Sequence, residues 1–256
     1  NIKRNKQFYK MHKGKRCFIL GNGPSLRDVN LGKLKDEYVF SVNCFARVQN
    51  FELAKPNYHL WMDYSFFELR DDQKYNHEEL INDYYKMAGT GAKCFVPDVA
   101  YSFIKENKID KILDVHYLLS GESNAVIPEI KYKLDDFITG YSTVVQYAIT
   151  VAIYMGFTEI YLLGCDSTSI ISLLNNALDV KSNNIHAYDK DDTNERNKQI
   201  LSNWSMTDIF FDQYTLFHGY KLLGEFSKKQ GIVLRNCSTK TLINEISWVS
   251  LNDVLN

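Results

Sequence analysis

The feature that most constrains this fold is a repeated one: short apolar runs that stop abruptly on small or polar residues. Arg16-Cys17-Phe18-Ile19-Leu20 ends at Gly21-Asn22, Tyr38-Val39-Phe40-Ser41-Val42 at Asn43, and Tyr58-His59-Leu60-Trp61-Met62 at Asp63. Glu159–Leu163 ends at Gly164-Cys165-Asp166, and Gly231–Leu234 runs on to Asn236. Unbroken apolar runs, without alternation, are the signature of strands buried on both faces of a parallel sheet. Lys93–Val96 and Ile112–Leu118 read as further strands. Helical patterns lie between them, over Tyr64–Arg70, His77–Met87, Ser142–Met155 and Ser205–Lys229. This alternation predicts an α/β fold: a Rossmann-like, mostly parallel sheet with helices on both faces.

In such sheets a ligand binds off the carboxyl ends of the strands, where the strand order switches. Asn, Asp and Gly also end strands for turn reasons alone. Their recurrence at every central strand end nevertheless points to a site. Gly21-Asn22-Gly23-Pro24-Ser25 joins a strand to a helix. Its glycines would let backbone approach a ligand, and the N–H groups of the next helix, with Ser25 as N-cap, would favour a phosphate. The motif is neither a Walker loop nor GxGxxG, since no Lys-Ser/Thr and no third glycine follow. Ser142 is expected to cap the helix that runs to Met155, with Gly156 ending it.

The 256 residues suffice for one large domain, or for one domain with a lid. The segment over about 167–202, rich in Asn, Asp and Ser, is too long for an ordinary connection and is expected to be an inserted lid. A net charge of −1 gives no reason to expect nucleic acid as partner. No apolar run approaches the ~18 residues of a membrane span, although peripheral membrane contact is compatible with the chain. The basic stretch 1–15 reads as a solvated lead-in. The first residue is Asn1, as in a piece of a longer protein. Five scattered cysteines without a CxxC pattern read as reduced thiols, hence a cytoplasmic protein, compatible with the inner face of the membrane.

With its surroundings the glycine motif becomes recognisable. Phe18–Leu26 and the block Ala152–Asp166 resemble small bacterial sialyltransferases that use CMP-sialic acid. They also resemble the related domain of hydroxymethylpterin pyrophosphokinases and flagellin motility-accessory glycosyltransferases. Asn43, Lys55-Pro56-Asn57-Tyr58 before Asp63, and Gly231–Thr241 fit as well; residues 70–135 and 167–200 match poorly. The resemblance implies a sialyltransferase-like fold with an inserted lid. It implies that Asn22 and Asn43 lie against the CMP part of a donor, with Gly21, Gly23 and Ser25 of the glycine loop and Ser142 and Thr143 around its phosphate. Gly164, Cys165 and Asp166 would follow the last central strand, the Asp166 carboxylate suiting ribose or base groups. Asp63 replaces an asparagine of the sialyltransferases. It also implies a histidine in the lid as the base that deprotonates the acceptor hydroxyl, and no metal.

Of six histidines, His186 in Asn184-Ile185-His186-Ala187-Tyr188 falls in the lid segment, and His218 follows in a helical stretch as the weaker candidate. Imidazole titrates near pH ~6.5, which suits a base. His59, inside a strand, reads as structural, and His12, His77 and His116 carry no motif. Asp189-Lys190-Asp191-Asp192 contains a DxD but sits in a charged loop and reads as solvated. Tyr141, Tyr161 and Tyr188 are expected near the site, where a hydroxyl could help a leaving phosphate. The expected function is inverting transfer of a sialic-acid-like or other nucleotide-activated sugar from a CMP-type donor to a surface-glycan acceptor. Two alternatives stand beside it: an ATP-dependent pterin pyrophosphokinase, with Asp63 and Asp166 as the only well-placed carboxylate pair for magnesium, and a non-catalytic nucleotide-binding module of a glycan-assembly protein.

Overall fold

The computed structural model describes residues 2–67, 77–123, 129–180, 186–188 and 194–255. Eight strands form one sheet, in the order β6-β5-β4-β3-β2-β1-β7-β8. They are β1 (Arg16–Leu20), β2 (Tyr38–Val42), β3 (Tyr58–Leu60), β4 (Lys93–Pro97), β5 (Asp114–Ser123), β6 (Phe137–Gly140), β7 (Glu159–Leu163) and β8 (Val233–Asn236). Every pairing is parallel. The chain steps outward from β1 to β6, then returns to add β7 and β8 on the other flank of β1. The order therefore switches at β1, between β2 and β7.

Among the described residues seven α-helices accompany the sheet: α1 (His77–Ala88), α2 (Tyr101–Glu106), α3 (Val144–Tyr154), α4 (Ser169–Ala177), α5 (Asn194–Asn203), α6 (Met206–Lys229) and α7 (Leu251–Leu255). Successive strand residues point to opposite faces, so each central strand feeds two cores. Cys17 and Ile19 of β1 join Phe40, Ile160 and Leu162 in the core that contains α3 and Tyr220 and Leu223 of α6. Phe18 and Leu20 join Val39, Tyr161 and Leu163 in the core that contains Leu80, Tyr84 and Met87 of α1. Burial on both faces is why the runs lack polar alternation.

Helix α3 is buried from Val145 through Tyr154 and packs on β1, β2 and α6. It ends where Gly156 takes φ +85°, as expected of a C′ glycine. Its N-cap is Thr143, not Ser142, and no side chain caps it. Likewise Ser25 caps no α-helix; it lies inside a short 3-10 helix, Pro24–Asp28, with Gly23 at the cap position.

The lead-in is solvated along its Lys and Arg residues, but Asn5, Phe8 and His12 are buried. Ile2–Phe8 is a 3-10 helix whose Phe8 is buried among Phe95 and His116. Asn5 Nδ2 donates to the carbonyls of Tyr117 and Leu134, and His12 Nε2 lies 2.6 Å from Tyr58 Oη. The helix expected over 64–70 is a 3-10 turn at Tyr64–Phe66, and residues 68–70 lie outside the described residues. The segment expected as a polar lid holds α4 and α5, joined where Asn197 Nδ2 donates to Ser172 Oγ. Residues 181–185 and 189–193, including the Asp189-Lys190-Asp191-Asp192 run, lie outside the described residues. Among the described residues no helix is long and apolar enough to cross a membrane.

Candidate active site

The loops after β1 and β7 interlock by backbone contact. Gly21 N–H donates to the Leu163 carbonyl at 2.8 Å, and Gly23 N–H to the Gly164 carbonyl at 2.7 Å. A Cβ on Gly21 would lie 2.4 Å from Gly164 O, and one on Gly23 2.5 Å from Asp166 Cγ. These glycines thus serve the approach of one loop to the other. Ser25 completes the lock: its N–H donates to Asp166 Oδ2 at 2.7 Å and its hydroxyl to Asp166 Oδ1. Burial raises the Asp166 carboxyl, and the two Ser25 bonds oppose the shift.

Around this lock lies a cleft of about 220 Å³. Gly21, Asn22, Gly23, Asn43, Asp63, Thr143, Gly164, Cys165, Asp166 and His186 all line it. Strand ends scattered over the chain are brought together because their strands are neighbours at the switch point. Two expectations need correction. Ser142 opens instead onto a neighbouring cavity, since α3 begins one residue later than expected. Ser25 is not part of the wall, and its N–H, expected to face a phosphate, is spent on Asp166.

The anion-favouring element is instead the start of α3. Thr143, Val144 and Val145 line the cleft at the N-terminus of this eleven-residue helix. Its orphan N–H groups and dipole favour one negative charge. No Lys or Arg is among the described residues lining the cleft.

Asn43 adopts the left-handed conformation, φ 45°, and its Oδ1 accepts Met62 N–H at 3.4 Å. Asparagine tolerates this region better than most residues. Asn22 Nδ2 donates to the Val42 carbonyl, but Asn22 Oδ1 is buried with no donor among the described residues. A buried acceptor left unpaired costs about 1–3 kcal/mol, so a ligand N–H or O–H here would be favoured.

His186 reaches the cleft through a strap to the glycine loop. Ala187 N–H donates to the Asn22 carbonyl at 2.7 Å. Arg27 Nε donates to Ala187 O at 2.8 Å and Arg27 Nη2 to His186 O at 3.0 Å. The imidazole stacks on Tyr188, 4.9 Å between centroids and 8° from parallel. His218 does not line the cleft; it stacks on Tyr214 along α6. His12, His59 and His116 pack inside the protein.

Of the three tyrosines expected nearby, only Tyr188 lines the cleft. Tyr141 Oη accepts the Thr150 hydroxyl at 3.1 Å, and Tyr161 stacks on Phe18. Tyr220, which sequence reasoning missed, is the tyrosine at the other wall. Burial raises its hydroxyl well above the ordinary value, against hydrogen bonds with Ser167 and Thr143. It hides in the sequence because it falls on the apolar stripe of α6. Cys44 and Cys165 line the cleft as well, yet burial pushes both thiols up, Cys44 to about 11, so neither is a ready thiolate.

A parallel α/β sheet with a cleft at its switch point defines the class, and solved structures share the fold. The sialyltransferase CstII from Campylobacter jejuni, in complex with the substrate analogue CMP-3FNeuAc, is similar with a TM-score of 0.50 and 18% identity, over 91% of this chain and 86% of that one. The same enzyme with cytidine-5'-monophosphate gives a TM-score of 0.47 and 21% identity, over 92% and 85% of the two chains. At these identities the likeness is one of fold. The family is given by sequence: residues 1–170 match the family described as 6-hydroxymethylpterin diphosphokinase MptE-like, and the chain belongs to it. Among curated proteins no sequence match was found.

Proposed function

We propose that the chain is a glycosyltransferase that moves a sialic-acid-like, or other nucleotide-activated, sugar from a CMP-type donor to a glycan acceptor. The observation that carries this reading is the charge of the cleft. Its described lining offers one helix N-terminus and no Lys or Arg for a phosphate, and of its two carboxylates, Asp63 and Asp166, the second is engaged by Ser25. A CMP-type donor carries one phosphate charge, against two on a nucleoside-diphosphate donor, and that helix end suits one; the carboxylate of a sialic acid is a further charge, carried on the sugar. The unpaired Asn22 Oδ1 would accept a donor from the base or ribose.

In this reading the segment over about 167–202 acts as a lid of a single domain, and His186 is the base. Its imidazole takes the proton of the acceptor hydroxyl. The hydroxyl oxygen attacks the anomeric carbon as the bond from that carbon to the phosphate oxygen breaks. CMP leaves with the electron pair, and the configuration inverts. The protein would work at the cytoplasmic side, in reach of a surface glycan under assembly, without a metal.

The family description favours a second reading, diphosphate transfer from ATP to a pterin alcohol. That chemistry asks for carboxylates on magnesium, and one of the two best-placed carboxylates, Asp166, is already bound to Ser25. Thermal unfolding with CMP, UDP and ATP, each with and without magnesium, separates the two, because a ligand selective for the folded state raises Tm. The transferase reading expects stabilisation by CMP without magnesium. Stabilisation by magnesium-ATP alone would overturn it.

A further inference from the structure

A second cavity, of about 510 Å³, opens beside the cleft. One face of α6 lines it at the spacing of adjacent turns, with Asp208, Phe211, Asp212 and Thr215, and Ser123, Ser142, Asn203 and Trp204 complete the described wall. The two cavities share a partition. Ser142 and Thr215 face the second cavity, while their chain neighbours Thr143 and Leu216 face the first. Buried Gln146 braces the partition from α3, its Nε2 donating to the Leu216 carbonyl at 2.7 Å. Gly219 makes room for that brace, since a Cβ there would lie 2.6 Å from Gln146 Nε2.

We infer that this second cavity is the acceptor subsite and that it takes a neutral saccharide; the inference rests on the transferase reading. Trp204 and Phe211 are about half exposed, at 48% and 61%, and stand together on the wall of this cavity, where a ligand can cover both. Sugar rings carry apolar C–H faces that pack on aromatic rings and hydroxyls that donate to carboxylates and amides. Asp212 Oδ2 already accepts Gln213 Nε2 at 3.2 Å, and burial raises the Asp212 carboxyl. Asp208 is committed to the capping box with Ser205. Two carboxylates and no Lys or Arg in the described lining disfavour an anionic sugar. Adjacency across the 142–143 and 215–216 steps puts a saccharide here within reach of a donor in the cleft.

The test is saturation-transfer NMR and titration of lactose and N-acetyllactosamine, against anionic 3'-sialyllactose, on the full chain with CMP present. The neutral sugars should bind and the anionic one should bind less well. Trp204→Ala and Asp212→Asn should each weaken lactose by about three- to ten-fold, the range of a lost aromatic or hydrogen-bonded contact. CMP affinity and Tm should stay as in the parent. No binding of either neutral sugar, a preference for 3'-sialyllactose, or lactose affinity unmoved by both variants overturns the inference. If lactose binding depends on Trp204 while CMP does not bind at all, the donor reading fails and the saccharide site stands.

Discussion

The carboxylate of Asp166 accepts both the backbone N–H and the hydroxyl of Ser25, across 141 positions of sequence. It therefore holds the glycine loop closed against the loop after β7, instead of standing open for a ribose. Asp166→Asn would turn one acceptor into an N–H₂ group facing Ser25. It should cost about 1–3 kcal/mol of stability and weaken nucleotide binding with it. Urea unfolding together with titration calorimetry checks this. Loss of affinity at unchanged stability would mean that the carboxylate contacts the ligand directly.

Gly21→Ala should cost about 1–3 kcal/mol or more, because its Cβ would meet the Gly164 carbonyl, a backbone atom that cannot swing away. Gly14, φ +77°, has open space around it, so Gly14→Ala should show only the cost of its backbone conformation, about 1 kcal/mol. Thermal unfolding of the pair gives the comparison. Equal shifts would show that the two loops can part without cost.

His186→Ala should lower kcat by about 10²–10⁴-fold, the range for loss of a general base, with the donor Kd unchanged. His218→Ala, on α6 away from the cleft, is the matched control. Arg27 holds the His186 and Ala187 carbonyls, so Arg27→Ala should lower kcat more than it raises KM, and Arg27→Lys should recover part of the loss. Turnover abolished by the His218 change but not by the His186 change would assign the base to α6.

Stability should fall as the solution is acidified below pH ~6.5. His59 is fully buried beside Ser41, and burial lowers it to about 3, against a smaller opposing effect of the Asn43 carbonyl. Burial lowers His12 and His116 in the same direction. The unfolded chain takes up these protons near pH ~6.5 while the folded chain resists. The stabilisation is thus complete above the unfolded value and is lost toward the folded one, at about 1.4 kcal/mol per pH unit for such a histidine. Urea midpoints at pH 7.5, 6 and 5 should decline in the parent and less steeply in His59→Gln. A flat profile in the parent would mean that His59 is not held neutral.

The sequence by itself determined β1, β2 and β7 with their ends, whereas β3 stops at Leu60, two residues short of the run expected to reach Met62. Arg16–Leu20, Tyr38–Val42 and Glu159–Leu163 are buried on both faces, so their runs are continuous and end sharply where the backbone turns away. Strand β6 was not legible, because it has only four residues and Phe137 is exposed. Nor was the packing of the lead-in, because the partners of Asn5 and His12 lie 46 to 129 positions away. Among the site residues, Gly21, Asn22, Asn43, Asp63 and Gly164 could be found from strand ends alone, since parallel neighbours end on one side. Their availability was decided only by the tertiary structure. Hydrogen bonds between residues distant in the chain occupied Ser25 and Asp166, and Asn22 Oδ1 was left with no donor among the described residues, while the start of α3 put Ser142 on a second cavity and the packing of α6 put Tyr220 on the wall. A polar side chain can serve a ligand only with donors or acceptors that the fold has not already engaged, and that accounting closes only in three dimensions.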